Sequence, residues 1–342
     1  MTRLAAVLAL IALLAGSGAA PRAAGEGPPA GTDLWIANAD GSHRRQLTHD
    51  AVPDFQPVAS PTGPLIAWAR GTPSQIWSMR LDGTAMKQLT TMPEDTFDPQ
   101  WSPDGRQLAF MSWDSSACGP GSTKCAATDI WVINADGSNP RLLDSGIHPR
   151  WSRDGHWLVY YEFTPNIESR GLMVAQVDRS GGTGGMILSA SFLAPMASPP
   201  AWSRGGRIAF AYGGSTRGRR VDVVGAQGSP RRRIGAGTAP AWAPNGRTLA
   251  VVRNGEIWLS DPAGGHRRRL VRTAVDPGLA PVWSPNGKFL AYQGGNGIRV
   301  VRVVRGGRPH GVGKGILGCC GYDTGSSPPS WTRDSRRLVF AQ

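Results

Sequence analysis

One short pattern recurs seven times along this 342-residue chain, and it restricts the fold more than any other feature. Its clearest copy is Pro99-Gln100-Trp101-Ser102-Pro103-Asp104-Gly105, followed by Leu108-Ala109-Phe110. Further copies centre on Trp151, Trp202, Trp242, Trp283 and Trp331, and a degenerate first copy has Ala59 at the Trp position. Successive copies are separated by 42, 50, 51, 40, 41 and 48 residues. A repeat of roughly 40–50 residues made of short strands is the signature of a β-propeller blade.

Each copy reads as strand, turn, strand. In Ser-Pro-Asp-Gly the Pro presets φ, the Asp bonds its own backbone and the Gly accepts a positive φ. Runs of β-formers follow, such as Leu158-Val159-Tyr160 and Leu290-Ala291-Tyr292. A second hairpin comes later in each unit. It begins Asp129-Ile130-Trp131 or Asp33-Leu34-Trp35, turns at Asp136-Gly137 or Asp40-Gly41, and ends Arg45-Gln46-Leu47-Thr48 or Lys87-Gln88-Leu89-Thr90. Two hairpins make one four-stranded blade. Of 13 Trp residues, six hold the motif position and four lie in second hairpins. Packing between blades is their main expected role, with a Trp-lined sugar or base platform as the alternative.

The phase of the repeat predicts closure. The first unit is a second hairpin (Asp33 to Thr48) and the last is a first hairpin (Pro329 to Gln342). Neither is a blade alone; paired, they complete a ring and remove exposed sheet edges. The expected fold is all-β, a seven-bladed propeller over 33–342, in which N-terminal outer strands pair with the C-terminal inner hairpin.

Residues 1–19 have the charge, apolar stretch and small-residue order of a secretory signal, with cleavage after Ala19 or as late as Ala24. Residues 20–32 read as a linker. The expected location is outside the cytoplasm: periplasm, cell envelope or secreted. Ser17 stands where a lipidated Cys would be needed. Export permits disulfides, and Cys118 and Cys125 bracket a short Gly/Ser-rich loop that a bridge would close. Cys319 and Cys320 are adjacent and leave their pairing open. No His lies at zinc-ligand spacing from either pair, so no metal and no cofactor is expected.

The formal charge is +13. Arginines gather on expected fourth strands: Arg44 and Arg45; Arg231, Arg232 and Arg233; Arg267, Arg268 and Arg269. Charge on an outer edge discourages edge pairing, and a basic rim also attracts anionic envelope polymer or lipid headgroups. Nucleic acid is not expected, because aromatics are not interleaved with the basic runs. The segments entering each first strand carry Asp50, Asp54, Glu94, Asp95, Asp98, Asp276 and Asp323, beside His148 and Arg150. In a propeller they gather at one channel mouth, expected to be more acidic than the rim. As exposed loop charges, Asp95 and Asp98 should tolerate reversal without loss of stability.

No Gly-x-Ser-x-Gly elbow occurs, and the segment around Gly313-Lys314 fails as a phosphate loop. Carboxylates lack a catalytic pattern, although propeller sites can assemble from distant positions. With Trp-Ser-Pro-Asp-Gly, Leu-Ala-Phe, Asp-Ile-Trp, Asp-Gly and Arg-Gln-Leu-Thr in order, the repeat resembles the TolB-type propeller repeat from Asp33 to Gln342. The resemblance implies an envelope protein that binds protein partners. TolB itself has an α/β domain before six blades, so the pattern is TolB-like without being TolB. Every matched position is structural, so no functional residue transfers. The resulting expectation is a monomeric, non-enzymatic propeller that holds a protein or peptide at the loop-bearing mouth. The alternative is a propeller enzyme, of lyase or lactonase type, with a metal-assisted site over the channel.

Overall fold

The computed structural model describes residues 31–114, 128–162, 171–177, 184–189, 198–213, 218–272, 275–276, 279–294, 297–304, 306–314 and 327–342. The expectations for the signal sequence, Cys118, Cys125, Cys319, Cys320 and Asp323 lie outside the described residues. Those residues hold 28 strands, β1 to β28 in chain order, and no helix. The strands form seven antiparallel sheets of four.

The ring closes as its phase predicts. Strands β1 (Leu34–Asn38) and β2 (Arg45–Gln46) share a sheet with β27 (Ser330–Trp331) and β28 (Arg337–Ala341), in the order β2-β1-β28-β27. Register runs from Leu34 opposite Ala341 to Asn38 opposite Arg337. Asp33 and Gln342 exchange backbone hydrogen bonds of 3.0 and 2.9 Å beyond it. Leu34 and Ile36 pack with Val339 and Ala341, and reach Ile66 and Trp68 of the next blade. Both chain termini therefore contribute to one core cluster.

The innermost strands of the other blades are β3 (Asp54–Ala59), β7 (Asp95–Trp101), β11 (Ile147–Trp151), β15 (Ala201–Trp202), β19 (Thr238–Trp242) and β23 (Val282–Trp283). Each contacts the next around the ring, and β23 contacts β27, which contacts β3. The motif Trp makes this contact directional. The indole N–H of Trp101 donates to the Val58 carbonyl at 3.0 Å, Trp151 to Gln100 at 3.0 Å and Trp202 to Arg150 at 3.0 Å. Trp283 donates to Ala241 at 3.0 Å and Trp331 to Val282 at 2.9 Å. Each acceptor precedes the motif position of the preceding blade. Where the motif has Ala59, its N–H donates instead to Ser330 Oγ at 2.9 Å, so the closing seam is tied by a hydroxyl.

The Ser-Pro-Asp-Gly turns stack around one face. Ser102 Oγ donates to Asp104 at 2.6 Å and accepts the Gln107 N–H at 2.9 Å; Ser152 with Asp154, and Thr332 with Asp334, repeat the arrangement. Gly246, at φ +65°, sits against the preceding turn, where an added Cβ would lie 3.0 Å from Arg204 Cβ. Glycine is required there by both conformation and approach.

Trp242 is the exception among the motif indoles: its buried N–H has no hydrogen-bond partner. It is 8 % exposed, against 9 % for Trp283, so the two differ mainly in that bond. Trp283→Phe is expected to destabilise the protein by about 1 kcal/mol more than Trp242→Phe. Denaturant unfolding of both variants checks this; equal losses would show that the indole bond contributes nothing.

Candidate functional site

The residue three before the motif position lines the channel in six of the seven blades, and proline decides how. Pro57, Pro99, Pro149 and Pro240 each follow such a residue, and proline cannot donate to a ladder. The register shifts there in β3, β7, β11 and β19. The preceding residues take left-handed conformations: Gln56 at φ 53°, Asp98 at 52°, His148 at 58° and Ala239 at 51°. Such a conformation costs a non-glycine residue about 1–2 kcal/mol, and residues so held cluster at functional sites.

Three of these positions are polar and lie on successive blades. Gln56, Asp98 and His148, with Gln100 and Arg150, line one arc of a chamber of about 240 Å³. The opposite arc is apolar, formed by Pro199, Leu279, Ala280, Val282 and Pro328. Asp98 organises the polar arc. Its Oδ2 accepts from Arg150 Nη1 at 2.9 Å and lies 3.3 Å from His148 Nδ1, and its Oδ1 accepts from Gln100 Nε2 at 3.1 Å. Its N–H donates to Gln56 Oε1 at 2.7 Å. Burial opposes the charge on Asp98, but the Arg150 guanidinium and His148 outweigh it and hold the carboxyl below its ordinary range. Arg150 Nη1 also donates to the Pro149 carbonyl at 2.7 Å. Its remaining N–H groups make no hydrogen bond among the described residues.

Of the other acidic residues expected at this mouth, Asp50, Asp54 and Asp95 have side-chain partners within the chain. Asp54 is completely buried; it accepts from Trp68 Nε1 at 2.6 Å and from Arg70 Nη1 at 2.8 and 2.9 Å. Arg70 also pairs with Asp50. Asp95 accepts the Ser74 N–H at 2.6 Å and its hydroxyl at 3.0 Å, joining neighbouring blades. Glu94 is half-buried, and its carbonyl accepts from Gln75 Nε2 at 3.0 Å. Asp276 is half-buried, with its N–H bonded to the Gln293 carbonyl at 3.0 Å. The picture of an openly acidic mouth is therefore corrected. Asp54, Asp95 and Asp98 belong to the first strands, which begin earlier than the motif suggests, and Asp98 is 9 % exposed, not a free loop charge.

The basic rim lies on the outer strands β2, β18 (Arg232–Ala236) and β22 (Arg268–Val271) or just before them. Much of it ties blades together. Arg45 donates to the Leu81 and Asp82 carbonyls at 3.0 Å, and Arg267 to the Ile234 carbonyl at 2.5 Å. Arg231 pairs with Asp222 at 2.6 Å and lies over Tyr212; Arg269 pairs with Glu256 at 2.7 Å; Arg44 lies over Trp35. Arg232, Arg233 and Arg268 are exposed.

Because its carboxyl is held low, Asp98 contributes stability that is fully present above the unfolded carboxyl value of about 3.9 and lost as pH falls through the lower folded value. Asp98→Asn leaves Arg150 without its counter-ion and is expected to cost about 3 kcal/mol at neutral pH. The deficit should shrink as the pH falls below 4, when the wild-type carboxyl protonates. Unfolding midpoints of both proteins across that range check it, and a pH-independent deficit would contradict the assignment.

No protein-family model matches the chain, and no curated protein does. Solved structures do match. An oligogalacturonate lyase in complex with manganese aligns with TM-score 0.65 at 15% identity, covering 92% of this chain and 98% of that one. A putative TolB from Agrobacterium tumefaciens aligns with TM-score 0.54 at 15% identity, over 91% and 97%. A puromycin-hydrolyzing peptidase of Mycobacterium tuberculosis aligns with TM-score 0.61 at 18% identity, over 90% of this chain and 55% of that one. At such identities the likeness concerns fold alone. The chain is a seven-bladed β-propeller, similar in fold to the lyase and to the putative TolB.

Proposed function

We propose that the chain is an exported, non-enzymatic propeller of the cell envelope that binds a protein or peptide partner at the loop-bearing mouth. One partner side chain enters the chamber beside Asp98, His148 and Arg150. The observation that carries this reading is the divided chamber, polar on one arc and apolar on the other, built on three strained left-handed residues. About 240 Å³ suits a side chain better than an extended substrate. Asp98 is already neutralised by Arg150, while Arg150 retains free donors. The guest is therefore an acceptor, a carboxylate or amide side chain, with its aliphatic stem against Ala280 and Val282. Rigid strands hold the chamber, and the segments around it supply the variable contacts. The leader-like N-terminus supports the envelope location.

Ala280→Phe fills the apolar arc without touching the ion cluster, and His148→Ala removes one polar wall. Each is expected to weaken partner capture by the mature protein roughly tenfold. The double variant Arg232→Glu, Arg233→Glu on the rim should leave capture unchanged, with thermal midpoints similar throughout. The opposite ranking would move the site to the basic edge. Tight stoichiometric metal that requires His148 would instead favour the enzyme reading.

A further inference from the structure

The channel has a second mouth, on the face carrying the Ser-Pro-Asp-Gly turns. It is a funnel of about 800 Å³ that meets the first chamber at Gln100, Arg150, Pro199, Ala280 and Val282. Its wall contains Pro61, Pro103, Pro244 and Pro285, with the edges of motif tryptophans between them. That size lies within the range of ligand sites.

The charge around this mouth follows the repeat. Two residues after the motif position, the chain has proline in four blades and Arg153, Arg204 and Arg333 in the other three. Five residues after it stand Arg106, His156, Arg207, Arg247, Lys288 and Arg336. All nine of these basic side chains are exposed. Among the described residues, Arg153, Arg204, Arg247 and Lys288 make no salt bridge or side-chain hydrogen bond, and Arg153 and Arg204 line the funnel from adjacent blades. The acids of the same turns point back into them: Asp104, Asp154 and Asp334 accept hydroxyl hydrogen bonds of 2.6, 2.5 and 2.6 Å from Ser102, Ser152 and Thr332. Farther out, second-hairpin turns place Asp40, Asp82, Asp136 and Asp261 around the periphery. Those carboxylates also turn inward, onto Ser42, Thr84, Ser138 and the Gly265 N–H, and Arg80 and His266 pair with Asp82 and Asp261. The face is basic at its centre and mixed in charge at its edge.

We propose that this funnel binds an acidic peptide segment, at the mouth opposite the partner chamber and joined to it only at the waist. The charge pattern selects the occupant. A flat anionic surface could not enter the funnel to reach Arg150 at the waist. A narrow anionic chain entering at the centre meets Arg153 and Arg204, whose planar guanidinium groups fit carboxylates in bidentate fashion. The wall offers proline rings for aliphatic stems. Of the motif tryptophans, Trp101, Trp242, Trp283 and Trp331 are less than 10 % exposed and Trp151 and Trp202 are half-buried.

The test uses the mature protein with fluorescent hexaglutamate, and hexaglutamine of equal length as its neutral counterpart. Hexaglutamate is expected to bind and hexaglutamine not, with affinity falling as salt rises. Arg153→Glu with Arg204→Glu should weaken binding roughly tenfold or more. Arg232→Glu with Arg233→Glu on the outer strand, and His148→Ala, which lines only the other chamber, should leave it within about twofold. Equal binding of the two peptides, by wild-type protein alone, would overturn the proposal without depending on any variant. So would rim reversal that weakens binding as much as funnel reversal. A soluble uronic-acid polymer or phosphatidylglycerol vesicles that bind more tightly than hexaglutamate would replace the peptide with that partner.

Discussion

A propeller blade cannot bury both of its faces alone, and this ring depends on the bond that fixes each blade to its neighbour. In five blades the bond is the motif indole N–H reaching the carbonyl just before the preceding blade's motif position. Apolar burial supplies most of the attraction but has little directional preference. The hydrogen bond adds direction, because it holds only when neighbouring innermost strands keep one stagger. Where that tie is absent, other contacts take its place. Ser330 Oγ holds Ala59 across the closing seam, and Arg207 lies 5.9 Å from the ring centre of Trp242.

The same short motif also shapes the channel. Proline two residues before the Trp interrupts the ladder, and the bulge turns the preceding residue toward the axis. The bulge and its left-handed residue occur in four blades, at Gln56, Asp98, His148 and Ala239. The channel is lined at the same repeat position by Gln56, Asp98 and His148 on one arc and by Pro199, Ala280 and Pro328 on the other, while Ala239 is buried. The polar arc depends on Asp98, whose charge is tolerable at 9 % exposure because residues of its own and the next blade surround it. Chemistry at the axis and the join between blades are therefore linked: disturbing either alters the stagger that the other requires.

Repeat spacing and hairpin phase made the blade number and closing sheet legible, since both depend on local turn chemistry and chain order alone. The position of Arg clusters on outer strands was legible for the same reason. Their use was less so, since Arg45 and Arg267 reach backbone carbonyls on other blades, which no sequence pattern records. The acidic mouth was misread through pairing. Asp54 and Arg70 are 16 residues apart and Asp98 and Arg150 are 52 apart, so the cations that neutralise these acids meet them only after the strands pair and the ring forms. A signal for the channel positions was present in the repeated x-Pro-x-Trp, although the left-handed conformation it produces is not visible from composition or periodicity.

The two mouths differ because the two kinds of connection obey different constraints. Turns on the funnel side are short and similar in geometry: most seat a Ser or Thr, an Asp or Asn and a residue of positive φ, which is glycine in five blades and Ser335 in a sixth. Variation is confined to the few side chains that point away, and in this chain those are largely basic. Connections on the opposite side join separate hairpins and vary in length, so their acids fold inward to meet Arg70, Arg150 and Ser74. The result is one mouth whose acids are largely paired within the ring, and another whose basic side chains remain exposed. The two cavities meet at Gln100, Arg150, Pro199, Ala280 and Val282, so the guanidinium of Arg150 faces both, and a charge bound at either mouth acts on the ion pair with Asp98.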